Sequence, residues 1–277
     1  MSTALWLPLL VRVLTTAFIV VCASVTAEAL GPVRGAIIAC LPAATGPAYV
    51  FLALQHGPGF VAASALNSAA ANAATGLFLI VYGALAGRIP PWRGLGMAVL
   101  AWFLASILIR LAGWNPGKVV LLNLAVYGPG FVLMAKAGTH AAGPARPAQR
   151  RWYDLPLRAA AVAIFVSVVV TISALLGPAA TGIAAMFPIS LLSLIIILLP
   201  RLGGAATARL ALNALPPMLG YCVLLLAMYF AIPPWGVWPA FALALGISVL
   251  WPGILLAVQI LRARVSPAAR LPASAGR

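Results

Sequence analysis

Two interrupted apolar runs and one ladder of hydroxyl and amide side chains carry what chemistry this chain can offer. Pro42 lies in Pro42-Ala43-Ala44-Thr45-Gly46-Pro47, and Pro188 in Phe187-Pro188-Ile189-Ser190, each near the middle of its run. A proline inside a helix removes one backbone N–H and clashes with the carbonyl four residues earlier, so polar groups are left unpaired. In hydrocarbon those groups need protein, water or a solute. Ser64, Ser68, Asn72 and Thr75 recur at helical spacing through alanine-rich sequence, with Asn67 beside them and Asn213 at a matching place later in the chain. Amides and hydroxyls donate and accept hydrogen bonds, so they can hold a polar solute without ionic charge. The same stripe of small and hydroxyl residues is also what lets membrane helices pack closely. The candidate solute-binding set is Pro42, Thr45, Gly46, Asn67, Ser68, Asn72, Pro188, Ser190, Asn213 and Tyr221.

Acid–base and metal chemistry have little material here. The chain holds two acidic residues, two histidines and three cysteines. Glu28 and Asp154 fall at ends of apolar runs, away from any mid-membrane proton relay. Cys22, Cys40 and Cys222 lie inside apolar runs and form no CxxC or Cys/His ligand spacing. P-loop, dinucleotide-binding, zinc-helix and nucleophile-elbow patterns are absent from the sequence. The expectation is a protein that is not an enzyme, with no cofactor and no metal.

The elements that must position these residues follow from composition. A chain of 277 residues that is 64% hydrophobic and 7% charged does not fit a soluble domain. Its apolar runs lack two-residue alternation, so they read as helices rather than barrel strands. Nine spans are expected, at about 5–28, 35–55, 60–87, 95–113, 119–137, 156–175, 180–200, 206–231 and 239–261. Gly128-Pro129-Gly130 interrupts the fifth. The first span has the look of a secretory signal, but no basic residue precedes it and Arg12 stands inside it, so it reads as retained. Residues 1–137 make a first membrane repeat of five spans, 138–154 a cytoplasmic linker, 155–262 a second repeat of four spans, and 263–277 a basic cytoplasmic tail.

The two repeats share a register. At an offset of 146, Trp6 meets Trp152, Arg12 meets Arg158, and Gly31-Pro32 meets Gly177-Pro178; Pro42 then meets Pro188, Gly57 meets Gly203, and Asn67 meets Asn213. After a three-residue slip, Ile89-Pro90-Pro91-Trp92 meets Ile232-Pro233-Pro234-Trp235. The net charge of +15 reads as topology signal between helices rather than as a nucleic-acid surface. Arg34, Arg88, Arg93, Lys136 and the basic residues from Arg146 onward fall on one side, and Arg12, Arg110 and Lys118 on the other. The positive-inside rule then places the N-terminus outside and the C-terminus in the cytoplasm. Equivalent loops carry opposite charge bias, as five spans before the second copy would require. An all-α integral membrane protein with a five-plus-four inverted-topology repeat is therefore expected, and such repeats are the usual build of secondary transporters.

Short motifs also carry resemblances. Leu30-Gly31-Pro32, Cys40-Leu41-Pro42 and Gln55-His56-Gly57-Pro58-Gly59-Phe60 resemble a group of uncharacterised bacterial multi-pass inner-membrane proteins. The half-unit with Met186-Phe187-Pro188 resembles the small GlpM-like membrane proteins, and the layout is similar in architecture to the drug/metabolite transporter superfamily. These resemblances imply an inner-membrane location and bring no binding residues with them. The resulting expectation is a secondary transporter or permease for a small neutral, amphipathic or anionic solute. Its partners would be the lipid bilayer and that solute, with no nucleic acid; an oligomer is compatible with the sequence. The rival is a non-transporting membrane scaffold or assembly subunit, in which the small-residue helices serve packing alone.

Overall fold

The computed structural model describes residues 13–18, 21–22, 45–138 and 151–265. Among them there are helices and no strands. Eight helices follow one another: α1 Thr45–Gln55, α2 Pro58–Leu85, α3 Pro91–Leu111, α4 Pro116–Gly138, α5 Asp154–Ala185, α6 Ile189–Asn213, α7 Leu215–Trp235 and α8 Val237–Val265. Six helical stretches among the described residues are long and apolar enough to cross a membrane, α6 and α7 counting as one. The protein is thus all-α and of membrane type. The expected first span and the part of the second that holds Pro42 lie outside the described residues, apart from helical turns at 13–18 and 21–22.

Prolines start the helices and break them where the sequence led us to expect. Pro58, Pro91 and Pro116 each open a helix, where the missing N–H has no partner to lose. The expected interruption near Pro188 is present: α5 ends at Ala185 and α6 begins at Ile189, with Pro188 between them. Pro129 behaves differently, for α4 runs through it without a break. Two further breaks are single residues. Gly177 (φ 71°, ψ 171°) and Gly203 (φ 76°, ψ 172°) turn the chain inside α5 and α6. Left-handed φ is cheap only for glycine, so one residue there does the work of a loop. Pro216 and Pro217 stand in the first turn of α7, and the Trp251 indole of α8 donates to the Pro216 carbonyl at 3.0 Å.

The centre of the bundle is α2, which packs against every helix from α1 to α7. Its alanines explain this, because small side chains let six neighbours approach one axis. Ala65, Ala69, Ala70 and Ala71 are fully buried. The segment 178–202 runs alongside α2 in the same direction: Ser64 reaches Pro178, Ser68 reaches Gly182, Thr75 reaches Met186, and Gly204 lies against Ala86. The chain then returns in the opposite direction, with Thr207 on Tyr82 and Met218 on Asn72. The Pro188 break therefore sits beside the middle of α2.

The basic residues sort by end. Gly204 touches both Ala86 and Pro91, so the corner holding Arg88 and Arg93 lies beside Gly203 and Arg201. Asp154 joins Arg201 at that end through a bidentate ion pair, with Nη2–Oδ1 at 2.6 Å. Arg110 and Lys118 stand about 30 Å away along α3, at the rise of an α-helix. Next to the ion pair, Arg151 donates to the Tyr153 phenol at 2.6 Å, and that hydrogen bond lowers the phenol's pKa from its ordinary value.

Candidate functional site

The break between α5 and α6 is the place where the backbone needs partners. A helix leaves its last four carbonyls without intrahelical donors. For the segment ending at Ala185 these are Gly182, Ile183, Ala184 and Ala185. Two are satisfied locally: the Met186 N–H bonds the Ile183 carbonyl at 3.1 Å, and the Phe187 N–H bonds the Ala184 carbonyl at 3.0 Å. Pro188 has no N–H to give, and the Ile189 N–H turns to the Phe187 carbonyl instead of Ala185. Gly182, Ala185 and, just beyond, Met186 are left without these backbone donors.

Each of the three is met by a hydroxyl, and two of the hydroxyls have an aromatic donor behind them. Ser68 donates to the Gly182 carbonyl at 2.6 Å, and its oxygen pairs with the Tyr49 hydroxyl at 2.7 Å. Thr75 donates to the Met186 carbonyl at 2.9 Å and accepts from the Trp102 indole at 3.3 Å. Thr45 lies 3.5 Å from the Ala185 carbonyl, with the Tyr221 phenol nearby. A hydroxyl has one proton. Once it is given to the carbonyl, the aromatic group must be the donor of the second bond. The order is aromatic, hydroxyl, carbonyl at Ser68 and at Thr75. Away from the break, Tyr82 reaches Thr207 at 2.8 Å, and Thr207 donates to the Gly203 carbonyl at 3.0 Å. His56 reaches Ser173 at 2.7 Å, and Ser173 donates to the Val170 carbonyl at 2.7 Å.

A second polar knot lies beside the first. The Asn72 amide gives its two protons to the Asn123 side chain and the Met218 carbonyl, both at 3.0 Å. Asn123 in turn donates to the Ala69 and Val119 carbonyls at 2.9 Å each, and the Tyr127 hydroxyl donates to the Asn72 carbonyl at 3.2 Å. These bonds tie α2, α4 and α7 together. The Asn72 Oδ1 is buried and has no hydrogen-bond donor among the described residues. In a low-dielectric interior such an acceptor is costly unless something reaches it.

The structure brings some of the sequence candidates together and leaves others apart. Thr45, Ser68 and Asn72 belong to the two knots, Tyr221 lies near Thr45, and Pro188 makes the break they surround. Gly46 follows Thr45 in α1. Ser190 lies in the first turn of α6 and contributes its carbonyl to Ser193 at 3.0 Å. Asn67 turns back on its own helix, donating to the Ala63 carbonyl at 2.9 Å. Its Cβ stands near Gly182, where an added methyl group would overlap the Ser64 carbonyl. Asn213, expected to point inward, is exposed at the end of α6 and shares in none of these bonds. Asn213 ends α6, with Pro216-Pro217 in the next turn, whereas Asn67 and Ala70-Ala71 lie inside α2, so equal register does not mean equal facing. Pro42 lies outside the described residues.

Sequence reasoning missed Tyr49, Trp102, Asn123 and Tyr127. Asn123 had a readable signal, since an amide inside an apolar helix needs a partner as much as Asn72 does. The aromatic donors had none, because their polar tips look like ordinary core residues until the break is located. Tyr221 also lines a cavity of about 10 Å³ between α7 and α8, together with Pro217, Gly220, Ser248 and Trp251. That is room for about one water molecule. Among the described residues no three of His, Cys, Asp and Glu gather as a metal site. No protein family, curated protein or solved structure matches the chain.

Proposed function

We propose that this chain is a secondary transporter or permease for a small neutral, amphipathic or anionic solute, with its site at the α5–α6 break. One observation carries the reading: three backbone carbonyls freed at mid-bundle are each held by an exchangeable hydroxyl, from Ser68, Thr45 and Thr75. A solute with hydroxyl or amide groups can take over such bonds without leaving charge or orphaned backbone behind. The start of α6 lies at the break, and a helix N-terminus favours an anionic group on the solute.

Nine spans in a five-plus-four inverted repeat belong to this proposal. Its supports are the 146-residue register, the antiparallel run of 204–235 against α2, and the contact of Asn72 with Met218. An inner-membrane location with the N-terminus outside and the C-terminus in the cytoplasm rests on the basic residues, including the grouping of Arg88, Arg93 and Arg201 at one end. The likeness to GlpM-like proteins rests on its motifs alone.

The test is flux. Purified protein in liposomes, offered a panel of radiolabelled sugars, amino acids, carboxylates and amphipathic metabolites, should move at least one class faster than empty liposomes. Ser68→Ala should slow that flux with insertion unchanged. The scaffold reading has one observation in its favour, the full burial of Ser64, Ser68 and Thr75 in interhelical bonds. No flux over the panel, with a stable copurifying partner, would favour it.

A further inference from the structure

We infer that the first segment of α5 is a strut that shuts the protein at both ends, and that the solute path opens when one of its two end ties is released. This rests on the transporter reading above. The two corners that correspond at the 146-residue offset are Gln55-His56-Gly57 and Arg201-Leu202-Gly203. Both are tied to the same helix. Arg201 grips Asp154 at the start of α5 through two guanidinium–carboxylate bonds. His56 bonds Ser173 near the end of the same segment at 2.7 Å.

Asp154 and Ser173 are separated by about 28 Å of helix at 1.5 Å per residue, close to the thickness of the hydrocarbon core, about 30 Å. The two ties therefore stand at opposite faces of a bilayer. Each sits one or two residues before a turn of the chain, at Gly57 and at Gly203, and the second turns at φ 76°. The ties differ in kind: an ion pair at the end crowded with arginine, and a ring-to-hydroxyl bond at the other. Between them the centre is closed off, with Ser68 and Asn72 wholly inaccessible. Alternating access requires a way for either end to open while the other stays shut, and two independent ties on one rigid helix supply it.

Cys222 is the natural probe, since it is buried next to Tyr221 at the centre of α7. The experiment uses the full chain with Cys22→Ser and Cys40→Ser, in right-side-out and inside-out vesicles, and a membrane-impermeant maleimide. The starting protein should label slowly from both faces. Asp154→Asn should raise labelling about fivefold from the arginine-rich face only, the scale set by loss of a tie of ordinary ion-pair strength. Ser173→Ala should raise it from the opposite face only. The exchanged pair Asp154→Arg with Arg201→Asp should restore slow labelling, which a generally loosened fold would not do. Equal labelling from both faces in either variant, or no rise in both, overturns the inference. Labelling needs no solute, so one-sided opening with no flux over the solute panel would leave the ties standing and remove the transport reading.

Discussion

Asn72 and Met218 stand 146 residues apart in the chain and meet through a 3.0 Å hydrogen bond where α2 crosses α7. The same interval separates the matched tryptophans, arginines, prolines and glycines of the two halves. In a pair of copies related by a twofold axis, equivalent residues touch only where the axis passes. The contact is thus what an inverted repeat would place at its centre, and Asn72 is where its stability can be probed. Asn72→Leu strands the Asn123 side chain and removes a bond to α7. We expect a loss of about 1–2 kcal/mol, the scale of a buried unsatisfied group, read by denaturant unfolding in detergent. Asn123→Leu should cost a similar amount. The double variant should cost less than the sum, by about 0.5 kcal/mol or more, since one network is lost only once. Strict additivity would mean the two amides act separately.

Close helix contact predicts a contrast between two glycines. At Gly182 an added Cβ would overlap the backbone carbonyl of Ser64, and backbone cannot rotate away. At Gly57 the added atom meets open space, and φ is −68° there, which any residue adopts. Gly182→Ala should destabilise by about 1–3 kcal/mol, as overpacking does. Gly57→Ala should stay within about 0.5 kcal/mol of the parent. Thermal unfolding in detergent measures both, and equal effects would contradict the packing described.

The order aromatic, hydroxyl, carbonyl predicts a ranking within each relay. Ser68→Ala removes the donor to the Gly182 carbonyl and leaves that oxygen unsatisfied. Tyr49→Phe removes only the donor behind Ser68, which keeps its bond to Gly182. The first change should cost about 1 kcal/mol and the second clearly less, given that interhelical bonds in membranes average about 0.6 kcal/mol. Thr75→Val and the Trp102→Phe change behind it should follow the same ranking. A larger loss for the aromatic change than for the hydroxyl would reverse the donor direction assigned here.

Much of the helix plan was legible because it depends on local rules. Runs of apolar residues placed α2, α3, α4 and α8 within a few residues, and Pro188 marked a real break. The stripe from Ser64 to Thr75 was legible as a face, but not its purpose, because periodicity shows which residues align and not what they touch. Gly177 and Gly203 read as parts of loops; a positive φ compresses a loop into one residue, and composition does not report φ. Pro129 read as an interruption, yet a proline mid-helix costs only what its neighbours fail to recover, and α4 continues through it. Asn213 matched Asn67 in register and not in environment, because Asn213 ends α6 whereas Asn67 lies inside α2.

The last prediction concerns what holds the break open. A regular helix through Pro188 would need the Ile189 N–H to bond the Ala185 carbonyl and the Ser190 N–H to bond Met186. Those carbonyls are already engaged by Thr45 and Thr75. Pro188→Ala restores a donor without freeing the acceptors, so the break should persist in it. Adding Thr45→Val and Thr75→Val frees both carbonyls, and backbone bonding across 185–190 then becomes the only way to satisfy them in hydrocarbon. Hydrogen exchange of the Ser190 amide distinguishes the cases. It should be little changed in Pro188→Ala and slowed by about tenfold or more in the triple variant, the factor expected for about 1.4 kcal/mol of added protection. If Pro188→Ala alone slows exchange to the same degree, the proline makes the break by itself and the hydroxyls only decorate it.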